Sequence, residues 1–126
     1  MSVKYNVVQR GNPTKPTDPK KSYPSIAASG RKSLRELATE ISRMSTVSSV
    51  DTMAVLEALL TIIPQELAAG NIVELGDFGS FWLRINSEGV EDADAVRSGH
   101  VTNVLPRFNA GREFKKVLSE IKFEKA

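Results

Sequence analysis

The chain has 126 residues, of which 40% are apolar and 25% charged, a composition suited to one globular domain with a modest core. It contains no cysteine, which excludes a disulfide framework, a thiolate metal site and a cysteine nucleophile, and which agrees with a reducing compartment. Residues Met1 to Gly11 lack the apolar run of a signal peptide, and no apolar stretch is long enough to span a membrane, so a cytoplasmic location is expected.

The net charge is only +2, but it is unevenly spread. Residues 1–32 carry seven Lys/Arg against Asp18 alone, a net of +6. Residues 33–111 carry five Arg against eleven acids, a net of −6, and residues 112–126 carry five basic against three acidic residues, a net of +2. Basic ends on an acidic middle are candidates for phosphate contact. The competing reading is that basic termini serve solubility alone.

At the N-terminus, Val3, Tyr5 and Val7 alternate with Lys4 and Asn6, which predicts a short strand. Gly11-Asn12-Pro13 opens a loop rich in Pro, Thr and Lys that runs to Lys21. Ser22 to Ala28 reads as a second extended piece, with Tyr23 held extended by Pro24. Together these form a hairpin with a basic loop; a disordered arm is the alternative that the Pro and Lys content allows.

Ser33 to Met44 has the pattern of an amphipathic helix, with Leu34, Leu37, Ala38, Ile41 and Met44 on one face and a Ser33/Glu36 capping box at its start. Residues 45–49 are polar and predict a turn. A longer helix follows from Val50 to Ala69, started by Ser48 or Ser49 and closed by Gly70 in a left-handed conformation. Its apolar stripe is Met53, Leu56, Leu60, Ile63 and Leu67, widened by Leu59 and Ile62. Such a stripe needs more cover than the first helix supplies, which points to a second subunit. Pro64 cannot donate to the Leu60 carbonyl, so a kink is expected there.

After Gly70 the period changes to two. Ile72 to Ile85 reads as two strands joined by the turn Gly76-Asp77-Phe78-Gly79, with Phe78 and Phe81 as core candidates. Residues 86–100 are polar and contain Glu88, Glu91, Asp92 and Asp94. Val101 to Phe108 is a further strand candidate interrupted by Pro106, and a last helix runs from Arg112 to about Ile121.

The segments Val73-Glu74-Leu75-Gly76-Asp77-Phe78-Gly79-Ser80-Phe81 and Leu105-Pro106-Arg107-Phe108-Asn109-Ala110-Gly111-Arg112-Glu113-Phe114-Lys115 resemble two motifs of the HU/IHF family of bacterial histone-like DNA-binding proteins. The resemblance covers roughly residues 33–122. The N-terminal thirty residues lie outside it and are similar to those of longer, Bacteroidetes-type relatives. The resemblance implies an α+β fold: a helix-turn-helix pair, a three-stranded antiparallel sheet and a C-terminal helix, intertwined as a dimer. An extra N-terminal β-hairpin occupies residues 1–32, with the HU/IHF-like domain at 33–126. It also implies a nucleoid-associated protein without catalytic activity, cofactor, metal, membrane or small-molecule substrate, whose partners are double-stranded DNA and a second copy of itself. In the family, two β-ribbon arms wrap the minor groove and a proline at each tip wedges between base pairs.

This sequence departs from that pattern in the arm. There is no proline between Trp82 and Leu105, and four carboxylates stand where the family has basic residues. The segment is therefore either a ribbon of another kind or a fold-back, and Asp92 to Val96 has the composition for one helical turn. Arg10-Gly11-Asn12-Pro13 echoes the family's Arg-Asn-Pro tip with a Gly inserted, beside Lys15, Lys20 and Lys21, although a Gly-Asn-Pro turn is common without any such role. The DNA-binding candidates are thus Arg10, Asn12, Pro13, Lys15, Lys20 and Lys21 in the N-terminal loop, Arg84 and Arg97 by the arm, and Arg107, Arg112, Lys115 and Lys116 near the last helix. For each, a solvated surface position is the alternative. The dimer-core candidates are Met53, Leu56, Leu60, Ile63, Leu67, Phe78, Phe81 and Phe108. The rival function is an HU-fold dimer that has lost DNA binding and serves as a scaffold.

Overall fold

The computed structural model describes residues 1–126, and the chain divides into two compact units: Met1–Ser33 with Val117–Ala126, and Leu34–Lys116.

The first unit is a three-stranded sheet. Strands β1 (Ser2–Arg10) and β2 (Lys21–Ala27) pair antiparallel, from Lys4 opposite Ala27 to Arg10 opposite Lys21. Pro24 lies in β2, an edge strand, where a missing N–H is tolerated. The third strand, β6 (Lys122–Lys125), pairs parallel with β1 on its other side, with Val3 opposite Phe123 and Tyr5 opposite Lys125. The sequence reading ended the chain in a helix and did not anticipate β6. Lys122-Phe123-Glu124-Lys125 has one apolar residue and no alternation, and its partner strand lies at the opposite end of the chain. Residues 117–126 accordingly group with the N-terminal sheet.

The second unit opens with helix α1 (Leu34–Arg43) and helix α2 (Ser49–Ala68). The Ser48 hydroxyl accepts from the Asp51 N–H at 3.1 Å, so the N-cap is Ser48, one of the two serines expected. At the other end Gly70 takes φ 91°, and the Asn71 N–H bonds back to the Glu66 carbonyl at 3.0 Å, closing the helix as glycine permits. The helix is continuous through Pro64. Strands β3 (Val73–Glu74), β4 (Gly79–Ser87) and β5 (Val101–Ala110) form an antiparallel sheet in that order. A single 3₁₀ turn over Gly76–Phe78 links β3 to β4, and the Leu75 N–H reaches the Gly79 carbonyl at 2.8 Å. Pro106 was expected to interrupt its strand. Instead β5 runs through it, opposite Leu83, because β5 is an edge strand and a proline there forfeits no ladder bond. Helix α3 (Arg112–Ser119) starts after Gly111, whose N–H donates to the Phe78 carbonyl at 2.8 Å. It ends two residues before the expected Ile121.

Very little of the chain is fully buried: Ala38, Thr52 and Leu67 are the buried side chains of the two helices. Of the expected stripe on α2, Met53, Leu56 and Ile63 are half-buried and Leu60 is 55% exposed.

Candidate nucleic-acid interface

The charge divides along the structural units. The sheet unit carries nine Lys/Arg against three acids, a net of +6; the helical unit carries eight against twelve, a net of −4. In this chain, then, attraction to phosphate is concentrated in the smaller unit, which gains two lysines from the C-terminus through β6.

Six of the candidates sit at one end of the β1–β2 ribbon. Arg10 and Lys21 are register partners at the last rung, and both are exposed. Beyond them the loop is locally ordered. The Asn12 side-chain oxygen accepts from the Thr14 N–H at 3.0 Å and from the Thr14 hydroxyl at 2.7 Å, an Asx turn. The Lys15 N–H donates to the Asn12 carbonyl at 3.1 Å, and the Asp18 N–H to the Lys15 carbonyl at 3.0 Å. Arg10, Asn12, Pro13, Asp18, Lys21 and Tyr23 are among the residues lining a hollow of about 430 Å³ at this end. Lys15 and Lys20 are exposed on the same loop.

The other six candidates lie elsewhere. Trp82 is opposite Arg107, and Arg84 is two residues beyond Trp82, so alternation puts Trp82, Arg84 and Arg107 on one sheet face. The opposite face holds Phe81, Leu83 and Phe108. The arm segment resolves the alternative left open by the sequence. Strand pairing stops at Ser87 opposite Val101, the Glu88 N–H meets the His100 carbonyl at 2.9 Å, and 3₁₀ turns form at Ala93–Ala95 and Ser98–His100. The segment is thus a short ribbon capped by a folded loop. In that loop the Arg97 guanidinium donates to the carbonyls of Asp94 (2.6 Å) and Val96 (2.9 Å), which ties it to its own backbone. Arg112 and Lys115 are exposed on the first turns of α3; Lys116 has a partner of its own.

Three of the dimer-core candidates, Phe78, Phe81 and Phe108, belong to a cluster of phenyl rings. Phe108 lies 5.5 Å from Phe78, 4.9 Å from Phe81 and 5.5 Å from Phe114, and Phe78 meets Phe114 edge-on at 5.2 Å. The geometry is that of favourable aromatic pairs, yet Phe78 remains 49% exposed. Gly79 and Gly111 let the backbone close on this cluster. A Cβ on Gly79 would stand 2.7 Å from the Phe108 ring, and one on Gly111 would collide with the backbone of Asp77 and Phe78. Sequence reasoning missed Phe114 as a member of the cluster, although its place on the apolar side of the last helix is visible in the sequence. No group of three His, Asp or Glu is placed to hold a metal ion, and no helix is long and apolar enough to cross a membrane.

Comparison with known proteins agrees with this layout. Residues 1–125 match the family model described as HU-HIG, an HU domain fused to a wHTH, Ig or glycine-rich motif, so the match includes the N-terminal sheet strands. The DNA-binding protein HU of Buchnera aphidicola subsp. Baizongia pistaciae is 31% identical over 90 residues, covering 68% of this chain and 96% of that protein. Among solved structures, a candidate bacterial DNA-binding protein from Bacteroides vulgatus superposes with a TM-score of 0.66 at 10% identity over 98% of this chain. The present chain spans about half (47%) of that one. The HU protein of an Anabaena HU–DNA cocrystal structure superposes with a TM-score of 0.56 at 23% identity, over 71% of this chain and 99% of that one. At these identities the two structures support the fold.

Proposed function

The chain belongs to the HU-HIG family, and from that premise we propose that it is a non-enzymatic, histone-like, nucleoid-associated protein. It binds double-stranded DNA as an intertwined homodimer. Binding is through the phosphate backbone with little sequence specificity, as expected where cations rather than base-reading side chains carry the affinity. The observation that carries this reading is the +6 charge on the sheet unit, in a chain related to a DNA-binding HU protein. The candidates Arg10, Asn12, Pro13, Lys15, Lys20 and Lys21 form its principal contact. Arg84, Arg107, Arg112 and Lys115 supply weaker contacts from a unit that is acidic as a whole. Arg97 and Lys116, already engaged within the chain, contribute least.

The homodimer is supported by surface area. The chain exposes 10651 Å². Scaling for a compact protein of this mass gives about 6600 Å², and treating the two units as separate compact bodies raises it only to roughly 7900 Å². The remainder, about 2700 Å², is of the order that one subunit buries in a large obligate homodimer. The exposed apolar side chains include Leu60, Phe78 and Phe108 of the expected dimer core, Leu59 and Ile62 beside the α2 stripe, and Val55, which lies outside it.

The test is fluorescence anisotropy with a labelled duplex of arbitrary sequence at low and at moderate salt. Binding at low salt that weakens steeply at moderate salt is expected. No binding at low salt would leave the chain a dimeric scaffold.

A further inference from the structure

The N-terminal sheet is sorted by face in a way the linear sequence conceals. Side chains alternate along a strand, and register partners point to the same side. Val3, Tyr5, Val7, Pro24, Ile26 and Phe123 therefore share one face, whose single charge is Lys125. Lys4, Arg10, Lys21 and Lys122 share the other, with Tyr23 beside them and Glu124 as its single acid. All four cations are exposed, and the end of this face opens into the hollow between Arg10, Lys21 and Tyr23. Lys4 and Lys122 come together only because β6 pairs with β1.

We infer that this face, composed of Lys4, Arg10, Lys21 and Lys122, is a docking surface for the phosphate backbone of duplex DNA. Three of its four cations, Lys4, Arg10 and Lys21, lie outside the residues that resemble HU/IHF proteins. The inference rests on the proposed DNA-binding function and assigns it a site. From Lys4 to Arg10 the strand rises about 20 Å, at roughly 3.3 Å per residue. One DNA strand winds round the duplex as it advances about 3.4 Å per phosphate along the axis, so a face of this length spans a short run of phosphates before the strand turns away. Lysine and arginine at one end, two lysines at the other and a tyrosine hydroxyl between them suit contacts that fix position without reading bases. A protein partner for this face would have to be strongly acidic. The related chain that binds DNA, and the absence of a cation-rich arm in the helical unit, favour nucleic acid.

The experiment compares three full-length proteins: the wild type, the quadruple variant Lys4→Gln, Arg10→Gln, Lys21→Gln, Lys122→Gln, and Lys125→Gln on the opposite face. Affinity for a 30-base-pair duplex and for a single strand of equal length is measured across a salt series. Circular dichroism melts establish that the exposed substitutions leave the fold intact. Each lost phosphate contact flattens the log–log salt slope by about 0.9 on duplex DNA. The inference expects the quadruple variant's slope to flatten by about 2 to 4, Lys125→Gln to match the wild type, and the duplex to bind more tightly than the single strand. A quadruple variant with wild-type slope overturns the inference and leaves DNA binding standing. Equal flattening by Lys125→Gln, or tighter binding of the single strand, also overturns it. A wild type that binds neither probe at low salt refutes the DNA-binding function itself.

Discussion

Leu60 is a position where the single chain and the dimer make opposite predictions. In the single chain it is 55% exposed, and an exposed leucine replaced by alanine changes stability by no more than about 0.5 kcal/mol. In the proposed dimer the partner would cover the remaining half. Full burial of a leucine contributes about 1.5–3 kcal/mol, so that half is worth about 1 kcal/mol per chain. The two-fold axis presents the residue twice, and the cavity left behind adds to the loss, giving about 2–3 kcal/mol per dimer. Leu60→Ala is therefore expected to weaken dimerisation by about 30- to 150-fold. Met44 is 82% exposed just beyond α1, and Met44→Ala is the matched control with no expected effect. Sedimentation equilibrium gives the dimer constant, and urea melts at several concentrations report it if the free monomer does not fold. A wild type that sediments as a monomer, or a Leu60→Ala dimer constant within twofold of wild type, would refute the reasoning.

Three further outcomes follow from local geometry. Gly79→Ala meets the Phe108 ring and takes a φ of 148°, so it is expected to cost about 3 kcal/mol, whereas Gly76→Ala at φ 58° has open space and costs about 1 kcal/mol; thermal melts should show the first shift to be at least twice the second. Removing the helix cap with Ser48→Ala should destabilise by about 1 kcal/mol in urea unfolding, and Ser49→Ala should not, since Ser48 alone is the N-cap. Replacing Glu88, Glu91, Asp92 and Asp94 by their amides should tighten duplex binding several-fold at low salt, with the gain vanishing as salt rises; unchanged affinity at low salt would mean that the acidic loop does not face phosphate.

What could be read from the sequence was whatever local chemistry decides. The 3.6-residue spacing of Leu34, Leu37, Ala38 and Ile41, the Ser48 hydroxyl and the left-handed Gly70 give both helices to within one residue at each end. Gly76-Asp77-Phe78-Gly79 turns where glycine permits it. The rest depends on pairing across the chain. Strand β6 exists because Phe123 and its neighbours meet β1, a contact without local pattern, and with it came Lys122 and the basic face. Pro106 reads as a break until its strand is known to be an edge. The fold-back of residues 88–100 was one of two alternatives open in the sequence, with the turn expected within Asp92–Val96 found at Ala93–Ala95; what decides between them, backbone hydrogen bonds and Arg97 over two carbonyls, is not written in composition.

The salt dependence of wild-type affinity for duplex DNA tests the central claim most directly. The account predicts that log K falls linearly with log salt, with a slope of about −4 or steeper, equivalent to at least four phosphates released from their counterions at about 0.9 each. A flat slope, or no binding at the lowest salt, would contradict it.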